Sequence, residues 1–321
     1  MNKWWKLTAG TLLSASLVLT GCGDSSKQGA GNGSASDKVQ VVTTFYPMYE
    51  FTKRVAGDLA DVSVLVPAGT EPHDWEPTAK DVARISEADV FVYNGAGFEA
   101  WVDDVLQTVN NQELNIVEAS HGAELVEGHE DHEGHSEGDH STEHSHGAFD
   151  PHIWLDPVLA QHEVQQIAST LQTADPAHKA DYQKNADAYI AELKALDAAF
   201  RDGLQHVKSK EIVTSHTAFA YLAKRYGLEQ VPISGISPEN EPTAAEMKDI
   251  VAFAKAHNVK TIFFETLVSP KVAEAVAKEV GATTAVLNPL EGLTAEEKKS
   301  GLDYIGVMKK NLEELTKALS Q

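Results

Sequence analysis

Two series of alternating strand-like and helix-like segments, held apart by one long helical pattern, constrain this chain more than any other feature. In the first series Val39–Thr43 reads as a short strand, and a helix follows the turn Phe45-Tyr46-Pro47-Met48-Tyr49 and runs through Val55. Val62–Val66 reads as a second strand, Lys80–Ala88 as a helix, Val90–Asn94 as a buried strand, Trp101–Val109 as a helix and Asn115–Glu118 as a last strand. The second series opens with a strand at Glu211–Ser215 and a helix at Ala218–Tyr226, then a strand at Gln230–Ser234 and a helix at Ala244–His257. A strand at Thr261–Glu265, a helix at Pro270–Val280, a strand at Thr284–Leu287 and a closing helix at Leu302–Leu319 complete it. Such alternation builds βαβ units, because parallel neighbours need a crossover long enough to hold a helix. The expected fold class is therefore α/β, with two lobes, each a central mainly parallel sheet flanked by helices. Between the lobes, Pro176 to about Val207 is helical throughout and rich in Ala, Leu, Lys and Glu, with Asp175-Pro176 as its start signal. Roughly 30 residues rise about 45 Å at 1.5 Å each, the length of a rigid strut.

The N-terminus carries processing signals and stays outside the fold. Lys3 and Lys6 precede an apolar run from Leu7 to Thr20 that is too short to span a bilayer, and it closes on Leu19-Thr20-Gly21-Cys22. That ending resembles a bacterial lipobox, with Cys22 the lipidated residue. The Gly/Ser-rich stretch after it reads as a tether that lets a soluble body stand off the membrane. The expected organisation is a signal peptide over 1–21, a flexible tether over 22–38 and an N-terminal lobe over 39–174. A connecting helix over 175–207 and a C-terminal lobe over 208–321 follow. Cys22 is the only cysteine, which excludes an intramolecular disulfide and a thiolate metal site. A net charge of −22 without a basic stripe argues against nucleic acid as a partner and favours attraction of cations.

Seven histidines and eight acidic residues lie between His121 and His146, inside a loop taken as 121–149. The histidines are His121, His129, His132, His135, His140, His144 and His146. Imidazole is the side chain that best holds a borderline-soft divalent ion at neutral pH when no thiolate is present, so the tract points to zinc or a neighbouring transition metal. Its polar, Gly-interspersed composition does not suit a packed core, and two roles fit it: weak collection of zinc, or a sensor that loads only at high zinc.

Four further segments place a ligating residue at a strand end or just after it, the rim where open α/β sheets bind ligands. They are the loop Glu71-Pro72-His73-Asp74-Trp75-Glu76-Pro77, the stretch Asp150-Pro151-His152-Ile153-Trp154-Leu155-Asp156-Pro157, Thr214-Ser215-His216, and Asn288-Pro289-Leu290-Glu291. Taken in order with Gly235-Ile236-Ser237-Pro238-Glu239-Asn240-Glu241-Pro242, they resemble the zinc-binding, cluster A-I solute-binding lipoproteins of bacterial ABC importers, over nearly all of the chain from Val39 onward. That resemblance implies a metal in the cleft between the lobes, with His73, His152 and His216 as zinc ligands and Glu291 as the fourth. Asn288 stands where other members carry Asp, and Glu265 or water is the alternative fourth ligand, with Glu265 read more as a carboxylate supporting the site than as a ligand. Three imidazoles and one oxygen suit tetrahedral Zn²⁺, whereas manganese favours more oxygen donors. Trp75 and Trp154 are expected to pack around the cleft and dry it.

The function so implied is extracytoplasmic capture of zinc by a monomer anchored to the cell membrane through Cys22, and delivery to an ABC permease with a separate ATPase. The alternatives are capture of manganese or another divalent metal, and a surface adhesin. No Walker phosphate loop, His-Glu-x-x-His helix or nucleophile elbow is present, and an enzyme is not expected.

Overall fold

A computed structural model describes residues 38–128, 149–240 and 242–321. The signal segment, Cys22 and the six tract histidines from His129 to His146 lie outside the described residues. Among the described residues no helix is long and apolar enough to cross a membrane.

The first sheet contains β1 (Val39–Thr43), β2 (Ala60–Val64), β3 (Val90–Tyr93) and β4 (Asn115–Glu118), joined by α1 (Tyr46–Ala56), α2 (Ala79–Ser86) and α3 (Val102–Thr108). All its strand pairs are parallel, in the order β2-β1-β3-β4. From β1 the chain winds outward to β2, then crosses back over β1 to β3. That reversal opens a crevice at the carboxyl ends of the strands. Apolar burial runs past the end of β2: Leu65 and Val66 are buried, and their amides still reach the carbonyls of Thr43 and Thr44 at 2.9 Å. The expected strand at 62–66 is thus displaced to 60–64, because hydrophobic pattern alone does not separate a paired strand from the buried turn that leaves it.

Two helices follow. α4 (Pro157–Ala174) begins where the Asp156 carboxylate accepts the Val158 amide at 2.8 Å, with Pro157 in the first turn, where its missing N–H is not needed. α5 (Lys179–Leu204) is the expected strut, and its 26 residues rise about 39 Å. The helical pattern read from Pro176 begins as a 3₁₀ turn at Pro176–His178, and the Asp175 carboxylate serves the side chains of His178 and Tyr182 rather than the first helical amides. α5 buries Tyr182, Ala186, Tyr189, Leu193, Leu196, Phe200 and Leu204, one stripe at spacings of three and four residues. α4 packs along α5, so the strut is a helical pair.

The second sheet repeats the design with β5 (Glu211–Thr214), α6 (Ala220–Tyr226), β6 (Glu229–Pro232), α7 (Ala244–Ala256), β7 (Thr261–Phe264), α8 (Lys271–Val280) and β8 (Thr283–Val286). Its order is β6-β5-β7-β8, again parallel throughout. A short α9 (Ala295–Lys299) and α10 (Tyr304–Leu319) close the chain. One apolar cluster extends from Val41, Phe51 and Val92 through α4 and α5 to Phe219, Leu222 and Met308, so the two sheets share a continuous helical core.

Candidate metal centre

Four segments that follow strand carboxyl ends, after β2, β4, β5 and β8, each deliver one donor. His73 stands in the loop after β2, where its amide hydrogen-bonds the Glu71 carboxylate at 3.1 Å. His152 opens a 3₁₀ turn (Ile153–Leu155) on the segment between β4 and α4. His216 lies two residues beyond β5, and its carbonyl accepts from the Thr214 hydroxyl and the Gln230 amide, both at 2.9 Å. Glu291 follows β8 by five residues, on a loop that places Leu290 in the left-handed region at φ +60°.

The four side chains converge. His152 Nε2 lies 3.3 Å from His73 Nε2 and 3.3 Å from His216 Nε2. Glu291 Oε1 lies 3.4 Å from His73 Nε2, 3.3 Å from His152 Nε2 and 3.2 Å from His216 Nε2. Donors bound at about 2.0–2.1 Å in a tetrahedron stand about 3.3–3.4 Å apart, so five of the six spacings match ligands around one zinc ion, and the four atoms all lie within 4.8 Å of one another. Among the described residues these four form the one group of His, Cys, Asp or Glu side chains able to hold a metal.

The donors are shielded from water and oriented from behind. His152, His216 and Glu291 are buried, and the His73 side chain is 7% exposed. Asp150 Oδ1 accepts from His152 Nδ1 at 2.8 Å and from its amide at 2.9 Å. Glu265 Oε1 accepts from His216 Nδ1 at 2.7 Å. A carboxylate on Nδ1 fixes the proton there, leaves the Nε2 lone pair for metal and makes it more basic. Glu265 therefore sits behind a donor rather than among the four. The Phe98 ring meets His73 edge-on at 4.8 Å, and Trp154 lies 5.1 Å from His152. Trp75 packs 5.6 Å from Trp101 and also against the core cluster that holds Phe98 and Trp154, and Phe98 stands beside His73.

The charges are strongly coupled. Burial pushes the His73 pKa down. Burial acts the same way on His152, but Asp150 and Glu291 outweigh it and the pKa rises. For His216 burial is again outweighed, here by Glu265 and Glu291, and the value stands well above the usual imidazole range. Glu291 is held well below the usual carboxylate range: burial opposes ionisation, yet the imidazoles, His216 foremost, overcome it. Burial and the nearby Glu291 charge raise Glu71 to about 7.

Hydrogen bonds stitch the site across the two sheets. The Trp154 indole donates to the Pro289 carbonyl at 2.8 Å, and the Tyr304 hydroxyl donates to the Trp154 carbonyl. Asp156, besides capping α4, pairs with Arg225 of α6 at 2.6 Å. The Tyr221 hydroxyl donates to the Asp150 carbonyl at 2.6 Å and accepts the Val126 amide at 3.0 Å. Gly235, the first residue of the Gly235–Pro242 motif, lies after β6, and its carbonyl takes the Thr217 amide at 2.9 Å, next to His216. Of the histidine tract, His121 alone is described; its side chain is 81% exposed and is not one of the four donors. Asp150 and Phe98 escaped the sequence reading. An acidic residue two positions before a ligating histidine signals the first, whereas nothing local signals the second.

Residues 41–318 match the family described as "Zinc-uptake complex component A periplasmic". The high-affinity zinc uptake system protein ZnuA of Bacillus subtilis is 51% identical over 303 residues, covering 94% of each chain. The zinc-binding lipoprotein AdcA of Streptococcus pneumoniae is 45% identical over 287 residues, which are 89% of this chain and 57% of that protein. The Zn(II)-bound crystal structure of its ZnuA-like domain superposes with a TM-score of 0.76 at 44% identity, covering 88% of this chain and all of that domain. The laminin-binding protein Lmb of Streptococcus agalactiae, described as bifunctional with adhesin and metal transporting activity, also superposes with a TM-score of 0.76 at 42% identity, over 88% of this chain and 99% of that one.

Proposed function

The chain belongs to the periplasmic zinc-uptake complex component A family, and from that premise we propose that it captures Zn²⁺ outside the cytoplasm and delivers it to an ABC-type membrane permease. Its ligands are His73, His152, His216 and Glu291. The observation that carries this reading is the mutual spacing of 3.2–3.4 Å between Glu291 Oε1 and the three Nε2 atoms. Three imidazoles and one carboxylate oxygen make a closed set for a four-coordinate ion, with no open position for a substrate, which supports cargo binding rather than catalysis. The same set disfavours manganese, which seeks more oxygen donors. Donors drawn from both sheets tie metal occupancy to the geometry of the surface a permease would meet. Cys22 holds the monomer to the membrane by lipid, with hydrolysis of ATP assigned to a separate subunit.

Metal analysis of the purified mature protein tests the assignment. One tightly held zinc per chain is expected, with weaker zinc that disappears when residues 124–146 are deleted. His216→Glu should weaken the tight site by at least about a hundredfold, since it replaces a ligand nitrogen that the metal prefers. Equal zinc affinity in wild type and His216→Glu would refute the ligand set. The existence of Lmb motivates a second reading, attachment to laminin. Saturable laminin binding that survives complete removal of metal would support it, and its absence would dismiss it.

A further inference from the structure

Glu291 reaches the imidazoles from a loop that is not held by strand pairing. β8 ends at Val286, and five residues later the carboxylate must point back into the crevice. The reversal passes through Leu290, a buried non-glycine residue at φ +60°, a conformation that side chains disfavour unless the surroundings impose it.

Asn288 supplies what imposes it. Its Oδ1 accepts the Leu290 amide at 2.7 Å, closing a local turn around Pro289. Its Nδ2 donates to Glu297 Oε1 at 2.9 Å. Glu297 Oε2 in turn accepts the Thr294 amide at 2.8 Å, the capping box that starts α9. The main chain of Asn288 is gripped as well: its amide donates to Asn311 Oδ1 at 2.9 Å, and its carbonyl accepts from Asn311 Nδ2 at 2.7 Å. Asn288 is 3% exposed and Asn311 2%, so the bonds to Leu290 and Asn311 are made out of contact with solvent, while that to Glu297 is half-buried. Every polar group of Asn288 is engaged, and none is free to face the ion.

We propose that Asn288 is the positioning residue for the carboxylate ligand: it accepts from Leu290, donates to Glu297 and so fixes the strained turn that aims Glu291 at the three imidazoles. This inference rests on the reading of Glu291 as the fourth ligand. With Glu297 as the partner in this chain, the role requires a side chain that is acceptor and donor at once. An aspartate keeps the acceptor for Leu290 but sets a second carboxylate against Glu297 Oε1. A glutamine at 297 removes that conflict, because its Nε2 donates to the introduced aspartate while its Oε1 still accepts the Thr294 amide.

The test uses the mature protein loaded with Zn²⁺ or with Co²⁺, whose visible absorption reports the number and type of ligands. Asn288→Asp should lose zinc affinity by about 10–100-fold, and its cobalt spectrum should shift toward that of Glu291→Gln. The double variant Asn288→Asp with Glu297→Gln should recover both the affinity and the wild-type spectrum. Thermal unfolding of the metal-free proteins separates positioning from general damage, since recovery of the spectrum is not a property of a merely destabilised chain. Wild-type affinity and spectrum in Asn288→Asp, or no recovery in a folded double variant, would overturn the positioning role while Glu291→Gln still shows its own loss. Wild-type binding by Glu291→Gln would instead overturn the ligand assignment beneath it.

Discussion

Imidazole is a ligand only when the right nitrogen is free, and at His152 that choice belongs to Asp150. One carboxylate oxygen receives both the ring Nδ1 and the amide of the same residue, so backbone and ring are oriented by a single acceptor. Replacing it by an amide weakens that acceptor and leaves the ring tautomer unselected. Asp150→Asn is therefore expected to lower zinc affinity by about 10–100-fold with a folded protein remaining, as competition against a chromophoric chelator would measure. Affinity equal to wild type would show that His152 is oriented by its 3₁₀ turn alone. Glu265 holds the same relation to His216 through a contact 49 positions away in sequence, which no local motif announces. The histidines themselves were legible because each sits in a distinctive segment. Of the carboxylates behind them, Asp150 stands two positions before its histidine, where a local signal exists, whereas only the fold brings Glu265 to His216.

The helical pair α4 and α5 turns two sheets into one framework, and the apolar stripe on α5 does most of that joining. Leu193 is fully buried midway along the stripe, and its neighbour Lys194 is exposed. Leu193→Ala removes buried methyl groups and leaves a cavity, at a cost of about 2–5 kcal/mol. Lys194→Ala should stay within about 0.5 kcal/mol of wild type. Denaturant unfolding of the metal-free protein checks both, and comparable effects would contradict the packing described. α5 was readable from its period and composition. α4 has no bounds in the sequence reading, because Asp156-Pro157 stands there as part of a motif beside the site and its helix-start signal is not used. The short strands were located to within about two residues, and β2 shifted because its buried exit turn is as apolar as the strand itself.

At the scale of the whole molecule, the site is a meeting of four loops from two sheets, and its charge state links metal binding to pH. His152 and His216 have raised pKa values, so protonation of these rings favours the metal-free fold below the ordinary imidazole value, and that contribution fades as pH rises through the raised values. Zinc requires the same rings neutral, so protons and metal compete. Apparent zinc affinity should fall on acidification, by up to about tenfold per pH unit for each proton displaced. Calorimetric titration in buffers of different ionisation enthalpy would count those protons, and affinity flat between about pH 6 and 8 would contradict the coupling. The alternation of strands and helices and the long strut follow from periodicity, which acts locally, whereas the three histidines were singled out by the order of their motifs and the family resemblance that order carries. Tertiary structure decided the contacts that cross the chain: Glu265 on the His216 ring, Phe98 beside His73, Trp154 reaching the Pro289 carbonyl, and Asn311 gripping Asn288. These are contacts between residues up to 135 positions apart. Their identity depends on which loops the two reversals of strand order bring together, a relation that no local stretch of sequence contains.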